Sequence, residues 1–125
     1  REGMMTNGNI PAERILKFAI AEADENGFLR RIVEKPDEAA LRSLQGLQGV
    51  SMNSWRFDRR IFAACRAIEP SARGELELPD AVQYAIDNLG VRFAMRVYHQ
   101  TVLDLSSQGD IASVKRLLSG VEVRL

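Results

Sequence analysis

One cysteine, one histidine and no net charge leave few chemistries open to these 125 residues. Cys65 alone cannot close an internal disulfide. Its neighbours Ala63, Ala64 and Ala67 read as a small-residue helix face and not as a reactive-thiol setting, so a reducing compartment fits best. His99 alone builds neither a histidine metal cluster nor a His-containing zinc motif. A Cys65–His99 pair would lack a third, orienting group, so nucleophilic catalysis is not expected. Lys+Arg and Asp+Glu both number 17, so no overall field draws the chain to nucleic acid or to an anionic membrane, and any phosphate binding must be local. Aromatic residues are 6% of the chain, and no basic stripe accompanies Trp55 and Phe57, which argues against a base-stacking platform. No apolar run approaches the roughly 20 residues that cross a bilayer, and the N-terminal stretch shows no basic segment followed by an apolar one; a cytoplasmic location is expected. Neither form of glycine-rich phosphate loop occurs, so nothing here cradles a triphosphate unaided.

What is present is enough for one packed domain, with 46% of residues hydrophobic. Residues 1–12 lack periodicity and read as a lead-in loop from something else, the domain spans 13–120, and 121–125 form a tail. Lys17–Ala23 and Phe28–Val33 flank Asp24-Glu25-Asn26-Gly27, whose Asn-Gly pair favours positive φ, so two strands joined by a tight hairpin are expected. Pro36 ends the second strand. Ala40, Leu41 and Leu44 recur at helical spacing over Asp37–Gln45, and a strand is expected over Gly49–Phe57. Asp58 can cap a helix over Arg59–Ile68 with Ile61, Phe62, Cys65 and Ile68 on one stripe. Pro79 and Asp80 open a helix with Val82, Ala85, Ile86 and Leu89 on one face, closed by Gly90. Val91–Tyr98 alternates like a half-buried strand. A last helix over Gly109–Leu118 puts Ile111, Val114, Leu117 and Leu118 on one side. Interleaved strands and helices make an α/β layered fold.

Three places set polar groups near strand ends, where open α/β sheets hold their ligands. In Glu34-Lys35-Pro36 a carboxylate and an ammonium leave a strand together; the first can accept from sugar hydroxyls, the second can neutralise a phosphate, and an exposed ion pair is the plainer alternative. Asp104 arrives at the end of the apolar run Thr101-Val102-Leu103, a setting that suits a Mg²⁺ ligand, although spacing alone favours a helix cap; no second carboxylate stands out near it. Gly74-Glu75-Leu76-Glu77-Leu78-Pro79-Asp80 pairs carboxylates as acid/base sites do, yet acidic residues at a helix opening read better as structural support.

Taken in order, Phe18–Gly27, Ile32–Pro36, Val50-Ser51-Met52-Asn53 with Phe57-Asp58, Arg73–Asp80 and Val102-Leu103-Asp104 resemble the second half of the catalytic domain of the sugar-1-phosphate nucleotidyltransferases, or NDP-sugar pyrophosphorylases, over about Glu13–Leu118. The resemblance implies the C-terminal half of a Rossmann-like, GT-A-like domain with a mixed β-sheet flanked by helices. It further implies that Glu34 accepts from sugar ring hydroxyls, that Lys35 holds the sugar phosphate and is the catalytic lysine, that Asn53 and Ala19 line the sugar pocket, and that Asp104 binds Mg²⁺ with an aspartate of the other half. The implied partners are a sugar 1-phosphate, a nucleoside triphosphate and that N-terminal half of the domain, without which the chain is not expected to turn over. Leu105-Ser106-Ser107 follows Asp104 where the family has a glycine-containing turn, a departure that touches the metal site. A non-catalytic sugar-phosphate-binding module and a structural oligomerisation domain are the competing readings. Sugar, base and oligomeric state are not legible, and a homo-oligomer is compatible with the sequence.

Overall fold

The computed structural model describes residues 12–99 and 103–121. The expected lead-in, apart from Ala12, and the tail beyond Val121 lie outside the described residues, as do Thr101 and Val102. Helix α1 (Ala12–Ile15) turns into strand β1 (Ile20–Ala23), with Lys17 and Phe18 donating to the Arg14 and Ile15 carbonyls. Asp24 then shapes the hairpin: its carboxylate accepts from the Asn26 and Phe28 amides at 2.9 Å, and Gly27 takes φ +79°, which a Cβ would disfavour. Strand β2 (Leu29–Val33) returns antiparallel to β1.

Helix α2 (Glu38–Ser43) starts at Asp37, which accepts from the Ala40 amide, and strand β3 (Leu47–Val50) pairs antiparallel on the other edge of β1. The sheet order is therefore β2-β1-β3, with all pairs antiparallel. The mixed sheet expected from sequence is not found among the described residues. The expected strand over Gly49–Phe57 begins two residues earlier and ends at Val50. The chain then turns at Asn53 (φ +51°), and Trp55 and Phe57 leave the sheet to stack on each other at 5.6 Å, with Phe93 edge-on to both.

Helix α3 (Ile61–Ala67) is entered through Asp58, whose carboxylate accepts from the Arg60 amide. The stripe expected here is corrected: Phe62 is 63% exposed and Cys65 is exposed, while Ile61 and Ala64 are buried. Helix α4 (Leu78–Leu89) ends in a left-handed cap at Gly90 and buries Pro79, Ala81, Val82 and Ala85. Ala19 and Ala21 of the sheet join Ala64, Ala81 and Ala85 in one core, where small side chains let the layers approach. Ile20 points the other way, onto Ile15 and Leu44, as period-two alternation requires.

Residues Val91–Tyr98 form no ladder. Ala94 makes a single antiparallel bridge to Phe28, with Leu29 donating to the Phe93 carbonyl and Met95 to that of Gly27. The outer edge of β2 is met instead by Gln83, which accepts from the Ile32 amide at 3.0 Å and donates to the Arg30 carbonyl at 3.3 Å. A side chain here does what a strand would do for an exposed edge. A 3₁₀ turn (Gln108–Asp110) and helix α5 (Ile111–Leu118) complete the described chain. Ile111, Leu117 and Leu118 of α5 are exposed.

Candidate active site

The sheet register gathers most of the sequence-chosen residues. Ile20 pairs with Val33 on one side and Val50 on the other, so the residue before β1 and the residues after β2 and β3 lie at the same sheet end. Those residues are Ala19, Glu34 with Lys35, and Ser51 through Asn53. Ser51 donates to the Ala19 carbonyl at 2.8 Å, which carries the contact one step past the ladder. Ala19 is buried, Glu34 half-buried, and Lys35 and Asn53 exposed.

Lys35 (φ +42°) and Asn53 (φ +51°) are the non-glycine residues with positive φ among the described residues. Asparagine tolerates this region through local hydrogen bonding, but lysine pays a steric cost of roughly 1–2 kcal/mol there. Strain of this kind collects where a side chain must be aimed at something. The residue after Lys35, Pro36, is buried and fixes the exit of the chain from β2.

Beyond Lys35 stands the loop that sequence reading took as mere support. Glu77 accepts from both the Arg73 guanidinium and the Ser71 hydroxyl. Arg73, then Ser71, with Lys35 contributing further attraction, hold the Glu77 carboxyl below its usual range although desolvation opposes them. Arg73, raised by Glu77 above all, also feels Glu34. Burial, with Glu77 adding repulsion, pushes the Asp80 carboxyl up. Glu34 and Lys35 thus act on Arg73 and Glu77 at long range, although no ion pair or hydrogen bond joins the two pairs among the described residues. The signal in the sequence was the acidic doublet of Glu75 and Glu77 behind Arg73, but nothing local shows that this loop folds beside β2.

Asp104 takes different partners. Its Oδ2 accepts from Arg14 Nη2 at 2.5 Å and its Oδ1 from the Ser106 hydroxyl at 2.6 Å. Arg14 Nη1 donates to Asp110 Oδ1 at 2.8 Å, so one guanidinium spans two carboxylates. Asp110 is the acidic neighbour that sequence reading did not find, and with Ser107 it closes a capping box over the 3₁₀ turn. The Ser107 hydroxyl, then Arg14, keep the Asp110 carboxyl below its usual range against desolvation. Leu105-Ser106-Ser107, the departure from the family turn, therefore has a structural use. Both oxygens of Asp104 are thus engaged, and no group of three or more possible metal ligands occurs among the described residues. No ion pair joins Lys35 to Asp104 among the described residues. Asp104 is moored through Arg14 to the helix that leads into β1.

Two open concavities of the surface hold none of these residues. One of about 790 Å³ runs along α5 and one of about 390 Å³ lies by the hairpin at Asp24–Asn26 and Arg30. The candidate residues line an open sheet end.

The profile described as Nucleotidyl transferase matches residues 1–100. The chain belongs to the nucleotidyl transferase family. This member is 36% identical over 128 residues to a glucose-1-phosphate thymidylyltransferase of Streptomyces antibioticus, covering 95% of the chain and 34% of that protein. It is 38% identical over 79 residues to a low-salt glycan biosynthesis nucleotidyltransferase of Haloferax volcanii, covering 58% of the chain and 20% of the relative. A glucose-1-phosphate thymidylyltransferase of Streptomyces griseus is 37% identical over 106 residues, or 81% of the chain and 26% of that protein. The chain thus spans about a third or less of the length of the curated relatives it matches. No helix among the described residues is long and apolar enough to cross a membrane.

Proposed function

We propose that this nucleotidyl transferase chain supplies the sugar-phosphate-binding, C-terminal half of a catalytic domain that transfers a nucleoside monophosphate from a nucleoside triphosphate to a sugar 1-phosphate. Support comes from one observation above the rest: the two exposed side chains carried over from the family motifs, Lys35 and Asn53, follow the two strands that flank β1, at the same end of the sheet and with left-handed backbone. Glu34 accepts from ring hydroxyls. Lys35 neutralises the sugar phosphate, with Arg73, held by Glu77, as a further cation. Asn53 offers an amide to a hydroxyl, while Ala19, whose methyl group packs in the core, would meet the sugar only through the backbone at that sheet end.

The sugar phosphate oxygen attacks the α-phosphorus in line, a new P–O bond forms, the bond to the β-phosphate breaks, and pyrophosphate leaves with the electron pair. Positioning and charge neutralisation lower that barrier, with no covalent enzyme intermediate. Mg²⁺, entering with the triphosphate, would add charge neutralisation, and Asp104 is the residue of this chain that would hold it. The open sheet end calls for a second wall, which the N-terminal half of the domain would provide.

Melting the chain with and without glucose 1-phosphate, and then with other sugar 1-phosphates, tests the binding role. Ligand bound only to the folded state at 100 times its Kd stabilises by about 2.7 kcal/mol. The rise should vanish in Lys35→Ala and Glu34→Gln. A chain that no sugar 1-phosphate stabilises would remove the proposal. In a protein that also carries the triphosphate-binding half, pyrophosphate release should fall in Lys35→Ala. Sugar-phosphate binding with no release there would favour a non-catalytic module.

A further inference from the structure

Helix α5 is anchored at its base and left uncovered by the rest of the described chain. Arg14 ties Asp104 and Asp110 together just ahead of it, and the capping box of Ser107 and Asp110 fixes where it begins. Past that point none of its residues is buried, and none belongs to either core cluster. Ile111, Val114, Leu117 and Leu118 share one side, yet Ile111 is 53%, Leu117 52% and Leu118 45% exposed, with Leu105 at 63%. Leu105, Ile111, Val114 and Leu118 line one open concavity, so the apolar surface is continuous. An isolated helix shorter than about 12–15 residues is marginal in water, and α5 has eight, so cover for this stripe must come from elsewhere.

We propose that the apolar stripe of α5 is the face by which this chain docks onto the part of the catalytic domain that it does not contain, in an apolar groove with carboxylates at its rim. The proposal rests on the reading of the chain as one half of such a domain, but not on sugar binding at Lys35. Coverage and charge choose that occupant. The chain covers 34%, 20% and 26% of the relatives' lengths, so in each of them most of the protein lies outside the matched stretch and can supply a groove. From Ile111 to Val121 the chain carries Lys115 and Arg116 and no acidic residue. The same helix of a second copy would therefore bring charge of like sign, whereas carboxylates at a groove rim would pair with Lys115, which flanks the stripe at helical spacing. Ile111, Val114 and Leu118 stand at i, i+3 and i+7, the spacing by which an amphipathic helix anchors in a groove.

Hydrogen exchange of the unmodified proteins tests this without any assay of turnover. The amides of Lys115 to Leu118 should exchange nearly as fast as free peptide in the chain alone, and about tenfold or more slower in a protein that also carries the triphosphate-binding half. Leu118→Asp replaces an exposed side chain, so it should leave the melting temperature of the chain alone unchanged, and it should erase the slowing in the longer protein. Arg116→Ser, on the far side of the helix, should change neither. Exchange at α5 that is equally fast in both proteins would overturn the proposal, as would a chain alone that Leu118→Asp destabilises. A chain alone that is dimeric by light scattering, and that Leu118→Asp turns monomeric, would overturn it in favour of a second copy. Should Leu118→Asp keep the longer protein from folding, the comparison of the unmodified proteins decides. A melting rise with glucose 1-phosphate beside an unprotected α5 in the longer protein would sink the docking and keep the sugar-phosphate site; the reverse result would sink only the latter.

Discussion

Glu22 Oε1 accepts the Gly46 amide at 2.7 Å, and a Cβ on Gly46 would overlap the carbonyl oxygen of Ala23. The Gln45 amide donates to the same oxygen at 2.9 Å. A fully buried carboxylate in the central strand thus pins the turn between α2 and β3, and β3 then sets where Asn53 falls. Among the described residues Glu22 Oε2 has no hydrogen-bond partner, and the nearest cation, Arg30, stands 4.0 Å from Oε1.

Gly46→Ala should therefore cost about 2–3 kcal/mol, as overpacking against fixed backbone does. Urea unfolding gives the number. A loss under about 0.5 kcal/mol would mean that the turn can back away from Ala23.

Acid should weaken the fold through Glu22. Burial pushes its carboxyl up, but the Gly46 and Gln45 amides, with Arg30 and Arg31, outweigh burial and hold it below its usual range. A carboxyl depressed in the folded state adds stability that is present above the unfolded value of about 4.5 and drains away as pH falls through the lower folded value. Glu77 acts in the same sense. Stability measured from neutral pH downward should decline below about pH 4.5, and Glu22→Gln should be less stable at neutral pH with a flatter acid limb. An unchanged slope in the variant would remove Glu22 from the account.

Lys35→Gly separates aim from strain. Glycine accepts φ +42° freely, so the variant should lose no more than a few tenths of a kcal/mol and can gain up to about 1 kcal/mol. Its melting response to glucose 1-phosphate should nonetheless disappear. Binding retained in Lys35→Gly would show that the backbone, and not the ammonium, holds the phosphate.

Gln83→Ala should free the Ile32 amide and the Arg30 carbonyl at the outer edge of β2, at a cost of about 1–2 kcal/mol. Hydrogen exchange at Ile32 is the specific readout. Protection that stays at the level of the unmodified chain would mean that another group covers this edge.

Much of the hairpin and of the helices was legible in local chemistry. Asn26-Gly27 announced the turn and Gly90 the end of α4, because each acts on its own few neighbours. The stripe of α3 was misread for the opposite reason: Phe62 and Cys65 share a helical face with Ile61, yet Ala64 buries against α4, and only the partner decides which side turns inward. The alternation over Val91–Tyr98 likewise records a half-buried extended segment without saying that one bridge, at Ala94, is all the pairing it makes.

By itself the sequence determined the family motifs, the α/β class and which side chains to propose for a sugar phosphate, since these follow from residue type and short spacing. Only the tertiary structure decided that Glu34 and Lys35 act on Arg73 and Glu77 at long range, that Arg14 holds Asp104 and Asp110 together, and that Glu22 is the buried anchor of β3. Those contacts span many residues along the chain, and a charge carries no record in its own neighbourhood of which distant charge the fold will set beside it.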